Sequence, residues 1–308
     1  MPRLPHLPIA ISLCALAAGC ASNNASKKPA EEGPKPIAQL VEATNQPPSI
    51  GKFLADLDTQ IRGWNNLYLS AQTAEDKRKT RMLEDNLSSL THKRRTEIIE
   101  QLATGPLNNR VIAASALGFT RDREALSPLL AALDDSHEEV VGNALLGLLL
   151  LGQMDTPLEP ICRLMQTSAD DGVRRNAATC LAGLIGGGAR ADCVLPAARL
   201  GLVDPEPGVR SQCCLILAAL VDTTSLTALC DRLYDVTPLV AAAAARAVAH
   251  IGTESQTDKG TCARALAKAH ADTKGTVQVQ LRRALVELAG SDHGPKPEEW
   301  VAWATRLP

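Results

Sequence analysis

The chain has 308 residues, of which 45% are apolar and only 2% aromatic, and its formal charge is −2. Much Ala and Leu with almost no Phe or Tyr suits close helix packing and disfavours sheets. A nearly balanced charge supplies no whole-protein field to draw in nucleic acid, so neither DNA nor RNA is expected as a partner.

Residues 1–19 have a basic start with Arg3, an apolar run from Ile9 to Ala18, and then Gly19 before Cys20, which is the layout of a secretory signal. The run is too short to cross a bilayer as a permanent helix. Ala17-Ala18-Gly19-Cys20 resembles the lipobox of bacterial lipoproteins, with Ala17 where that family usually has Leu. The resemblance implies diacylation of the Cys20 thiol, cleavage before it, and membrane contact through the lipid; ordinary signal cleavage is the alternative. With Ala21 and not Asp after the anchor, it further implies the periplasmic face of the outer membrane in a bacterial cell envelope. Residues 20–49, rich in Ser, Asn, Lys, Glu and Pro, bury too little apolar surface to order themselves and read as a tether of at most about 3.3 Å per residue.

Residues 50–106 read as an N-terminal helical cap. Phe53, Leu57, Ile61, Trp64 and Tyr68 recur at spacings of three and four, the stripe of an amphipathic helix. A second helical stretch runs from Ala74 to Leu102. Its mixed-charge part, Glu75 to Thr80, reads as a solvated face. Residues 91–103 stand where the second helix of an incomplete first repeat would.

Residues 107–308 hold a repeat. Equivalent starts fall at Asn109, Val140, Val173, Val209, Val240 and Val277, at intervals of roughly 30 to 37 residues. Eight residues after each start stand Leu117, Leu148, Leu181, Leu217, Val248 and Leu285. Four residues after stand Ala113, Ala144, Ala177, Cys213, Ala244 and Leu281. Offsets of zero, four, eight and eleven share one helical face, and a second apolar run follows each, so a unit is helix, turn, helix. An Asp five residues before the start (Asp135, Asp204, Asp235, Asp272) and an Arg one after it (Arg110, Arg174, Arg210) resemble the HEAT repeat family. That resemblance implies a right-handed, all-α solenoid of about six hairpins with helical caps. It also implies a ladder of Asp and Arg between stacked repeats, which would pair Asp204 with Arg174 or Arg210. The pattern departs at Val141, Ala241 and Gln278 in place of Arg, and at Ser168 in place of Asp.

Seven cysteines follow Cys20, with no CxxC and no His at ligand spacing, so neither a metal nor a cofactor is expected. Most occupy columns of small or apolar residues. Cys180 with Cys213 or Cys214 is the pair that neighbouring first helices could bridge. Gly186-Gly187-Gly188 reads as a turn, and no catalytic constellation emerges. In the HEAT family the second helices line the concave side, where the resemblance would place Arg163, Arg199, Arg232, Arg264 and Lys268. Arg163 and Arg199 each follow a helix proline by three residues and are expected to point outward. A basic row of this kind selects an acidic partner, or merely solubilises an Ala-rich face. Together these features describe a non-catalytic, envelope-anchored scaffold that binds a protein partner. A lyase-type or cofactor-dependent enzyme that modifies proteins is the alternative, since some HEAT-like proteins handle tetrapyrroles.

Overall fold

The computed structural model describes residues 48–308, which contain helices and no strand. The signal sequence, Cys20 and the tether up to residue 47 lie outside the described residues. Residues 48–87 and 88–308 form two compact units. In the first, α1 (Ile50–Ser70) is capped by Ser49, whose hydroxyl accepts the Lys52 N–H. Leu54, Leu57, Ile61 and Trp64 of α1 are buried, and Asn86 Nδ2 on α2 (Ala74–Lys93) donates to Gln60 Oε1 at 2.8 Å.

The second unit opens with α3 (Arg95–Thr104), the second helix of an incomplete hairpin. Six hairpins follow: α4 and α5 (Leu107–Gly118, Leu126–Ala131), α6 and α7 (Glu138–Leu151, Glu159–Thr167), α8 and α9 (Asp171–Gly186, Val194–Gly201), α10 and α11 (Pro207–Ala219, Leu226–Arg232), α12 and α13 (Pro238–Glu254, Lys259–Asp272), α14 and α15 (Thr276–Ala289, Pro297–Ala304). Each first helix packs on the next first helix, and second helices form a parallel layer against them. This is an α-solenoid, in which stability is a sum of neighbour interfaces.

The repeat columns explain the packing. All six residues at offset four and all six at offset eight are 0% exposed. Ala or Cys at offset four lets first helices approach closely, and Leu or Val at offset eight fills the space behind. Between α4 and α6 a Cβ on Gly118 would stand 2.7 Å from the Gly147 carbonyl oxygen, so only glycine fits. At the far end Trp300 is 0% exposed and its Nε1–H donates to the Gly294 carbonyl at 2.9 Å. Trp303 meets Trp300 edge-on and stacks with His293. Trp300 and its contacts with Trp303 close the core at this end.

Neighbouring units are tied by one repeated clasp. Arg110 Nε and Nη2 reach both oxygens of Asp135 at 2.9 and 3.3 Å. Arg174 reaches Asp204 at 3.0 and 3.2 Å, and Arg210 reaches Asp235 at 2.9 and 2.8 Å. Each carboxylate also accepts the backbone N–H two residues on, at His137, Glu206 and Thr237, and so shapes the entry to the next first helix. The third guanidinium nitrogen donates to carbonyls just ahead of the arginine's own helix: Gly105 for Arg110, Ser168 and Ala169 for Arg174, Asp204 and Pro205 for Arg210. The Asp204 carboxylate thus belongs to Arg174, while Arg210 takes its backbone oxygen. Burial alone raises the Asp235 pKa, but Arg210 and the Thr237 N–H outweigh it and hold the group below the usual carboxylate range.

The disulfide differs from the expected pairing. Cys162 in α7 bonds Cys193, just before α9, with Cα atoms 6.3 Å apart, while Cys180, Cys213 and Cys214 are free and buried. Cys180 sits at offset seven and Cys213 at four, roughly 60° apart in rotation and about 4.5 Å apart along parallel axes, so the thiols do not face each other. Cys214, at offset five, points to the opposite side. The bridge joins the second and third hairpins, where the clasp is missing because Val141 and Ser168 replace both of its members. Closing a 31-residue loop contributes about 3–4 kcal/mol. Cys162→Ser is therefore expected to lower the unfolding midpoint under oxidising conditions to that of the reduced wild type. Hydrogen exchange should rise first in α6 to α9; a rise spread evenly over the array would contradict a local staple.

Candidate protein-binding face

The five cations of the second-helix layer fall into two groups. Arg163, on α7, is 60% exposed and lies 3.3 Å from Asp134 of the preceding hairpin. Arg199, on α9, is held more firmly: Nε and Nη2 bind both oxygens of Asp222 at 2.9 and 2.7 Å, and Nη2 also reaches Thr224 Oγ1 at 2.6 Å. Asp222 is almost fully buried and gathers the hydroxyls of Thr224 and Ser225 as well. Foremost the Arg199 hydrogen bonds, and then those hydroxyls, hold its carboxyl far below the usual range against the opposing effect of burial. Both expected outward cations are thus engaged by acids of neighbouring hairpins.

The other three are not neutralised at close range. Arg232, half-buried on α11, is 3.4 Å from the Leu202 carbonyl and 3.7 Å from Asp235, whose oxygens Arg210 already occupies. Arg264, on α13, donates to the Leu307 carbonyl at 3.2 Å and to Thr261. Lys268, also on α13, is exposed and has no hydrogen bond or ion pair among the described residues.

Sequence reasoning missed the Arg199 clasp, which recurs. Asp122 occupies the same turn of the first hairpin and pairs with Arg95 at the start of α3. Before each Asp stands a residue in the left-handed region, Arg121 at φ 54° and Val221 at φ 50°, followed by a short 3₁₀ turn and then Leu126 or Leu226. The shared spacing of Asp and Leu was the available signal. A β-branched residue in that region costs about 1–2 kcal/mol, and the Asp network on the next residue secures the bend.

The thiols of these hairpins are held in the neutral form. Burial pushes the Cys214 and Cys262 thiols up to about 12 and the Cys230 thiol up to about 11, far from a nucleophilic thiolate. Among the described residues, no three His, Cys, Asp or Glu side chains are placed to hold a metal ion. The face presents Arg232, Arg264 and Lys268, the first two each with a backbone carbonyl contact and the third exposed.

Residues 95–182 match HEAT repeats. No curated protein matches the chain. Among solved structures, a designed armadillo repeat protein in complex with the peptide (KR)4 is 20% identical with a TM-score of 0.50, covering 62% of this chain and 98% of that one. An engineered protein is 18% identical with a TM-score of 0.49, covering 83% and 76%. The complex of CpcE and CpcF of phycocyanin lyase from Nostoc sp. PCC7120 is 20% identical with a TM-score of 0.43, covering 68% and 91%. The chain folds as an α-solenoid, and the HEAT match covers residues 95–182 of it.

The two arginines expected to behave alike should separate on substitution. Asp222 has a lowered folded pKa, so its contribution is complete above the unfolded carboxylate value of about 4 and is lost as pH falls below it. Arg199→Ala should lower the thermal midpoint at neutral pH and flatten its decline in acid. Arg163→Ala, at an exposed pair, should leave both nearly unchanged. Thermal unfolding followed across that pH range checks both.

Proposed function

We propose that this chain is a non-catalytic scaffold of the bacterial cell envelope that holds a protein partner, acidic in character, against its second-helix layer. Arg163, Arg199, Arg232, Arg264 and Lys268 are assigned to that face, with the last three carrying the attraction. The observation that supports this most is the contrast within the row: Arg163 and Arg199 are paired with acids of neighbouring hairpins, whereas Lys268 has no ion pair among the described residues, Arg264 reaches a carbonyl and a hydroxyl, and Arg232 stands 3.7 Å from an aspartate that Arg210 already holds. Such charges steer an oppositely charged surface and then bond it. Cys20 is assigned the lipid that anchors the chain, and the Cys162–Cys193 bridge supports an exported, oxidising location.

Replacing Arg264 and Lys268 together with Ala removes exposed charge, so stability should change by less than about 0.5 kcal/mol per site. Capture of partners from crosslinked envelopes should fall through slower association, and added salt should bring the wild type towards the variant. Equal capture at low salt would defeat the assignment. For the anchor, Cys20→Ser should shift the protein from the detergent to the aqueous phase and leave an uncleaved precursor; unchanged partitioning would remove the lipid from the proposal.

A further inference from the structure

Exposed large apolar side chains are unevenly spread along the array. Of eight in residues 88–308, five lie between Leu200 and Leu239: Leu200, Val203, Tyr234, Val236 and Leu239. Val203 is 74% exposed and Val236 94%, each on the turn that leaves a second helix. Single exposed aliphatics are ordinary, but three of the five, Val203, Tyr234 and Val236, gather around one cleft, and a shared apolar rim marks a contact surface.

The cluster has a cleft of about 370 Å³, walled by Val203, Pro205, Arg232, Tyr234 and Val236 and floored by the Asp204 and Asp235 ends of the clasp. Its floor and the Tyr234 side are already fixed. Arg210 bonds Asp235 at 2.8 Å and the Asp204 carbonyl at 2.9 Å, and the Tyr234 hydroxyl donates to Asp272 at 3.0 Å. An occupant therefore orders little on arrival, which favours binding.

The charges decide the occupant. Asp204 and Asp235 are neutralised by Arg174 and Arg210, which leaves Arg232 and Asp231. Asp231 is exposed and solvated, so pairing it gains little. Arg232 is half-buried with donors unused, and a carboxylate that met it bidentately would gain much more. From α11 the surface continues onto α13, which packs against it and carries Arg264 and Lys268.

We propose that this cleft takes an aliphatic side chain of an acidic segment of the partner protein, with a neighbouring carboxylate on Arg232 and the rest of the segment crossing α13. This rests on the scaffold reading above and narrows its partner to an alternation of acidic and aliphatic residues.

The test uses the full-length chain and three fluorescein-labelled peptides: alternating Glu and Leu, alternating Glu and Ser, and alternating Lys and Leu, followed by anisotropy. The Glu/Leu peptide should bind best. Val236→Asp, at a fully exposed site that leaves folding intact, should weaken it about tenfold or more. Arg232→Gln should weaken it about fivefold with an unchanged unfolding midpoint, whereas Asp231→Asn should tighten it by removing a like charge. Equal binding of the Glu/Leu and Glu/Ser peptides, indifference to Val236→Asp, or no binding of any peptide would overturn the cleft. Preference for Lys/Leu with weakening by Asp231→Asn would overturn the acidic assignment. Binding that survives Val236→Asp but is lost in Lys268→Ala would end this inference while keeping the broader scaffold reading.

Discussion

The array depends on an arginine that closes three gaps at once. Its guanidinium satisfies carbonyls left over ahead of its own helix, fills both oxygens of an aspartate in the next hairpin, and through that aspartate sets the backbone turn entering the next first helix. A lysine could supply the charge but not the fork, because only a planar group with donors on several edges serves carboxylate and carbonyls together. The clasp therefore fixes the angle between units as well as their contact. The apolar columns fill the space the clasp defines, and the flat stack of first helices leaves the second-helix layer free to present its side chains.

Much of this was legible because it repeats. Leu217 and its five equivalents stand eight residues from each start, and a column that survives six imperfect copies can only be core. The choice of Arg174 over Arg210 for Asp204 was not legible: both lie at suitable spacing, and only three-dimensional stacking decides which guanidinium faces the carboxylate. The disulfide was hidden for the same reason. Adjacency of helices suggested Cys180 with Cys213, whereas bond formation needs matching rotation about the helix axes, which Cys162 and Cys193 provide.

The candidate face was legible as a list of cations and misleading as a uniform row. The aspartate column of the repeat does not mark Asp222 as the partner of Arg199, since it lies inside a hairpin turn and not in the turn between units; only its spacing to Leu226, shared by Asp122 and Leu126, sets it apart. Nor does periodicity mark Val236, whose significance comes from standing in the open where a turn would normally be polar. The layer is consequently graded: its early cations are bound into the scaffold, and its later ones remain available to another molecule.

One consequence concerns force. In a linear stack a pull between the two ends passes through every interface in turn, so the weakest one parts first. The interface between the second and third hairpins, without its clasp, carries a covalent bond that tension of thermal magnitude does not break. The interface between the fifth and sixth has neither: Ala241 stands where an arginine would, and Gln278 contributes a single neutral hydrogen bond to the His270 carbonyl at 3.2 Å. Of the five interfaces between the six hairpins of the described residues, this one alone has neither clasp nor bridge to resist tension. The Arg232 cleft lies wholly on the inner side of that interface, whereas Arg264, which donates to the Leu307 carbonyl, spans it.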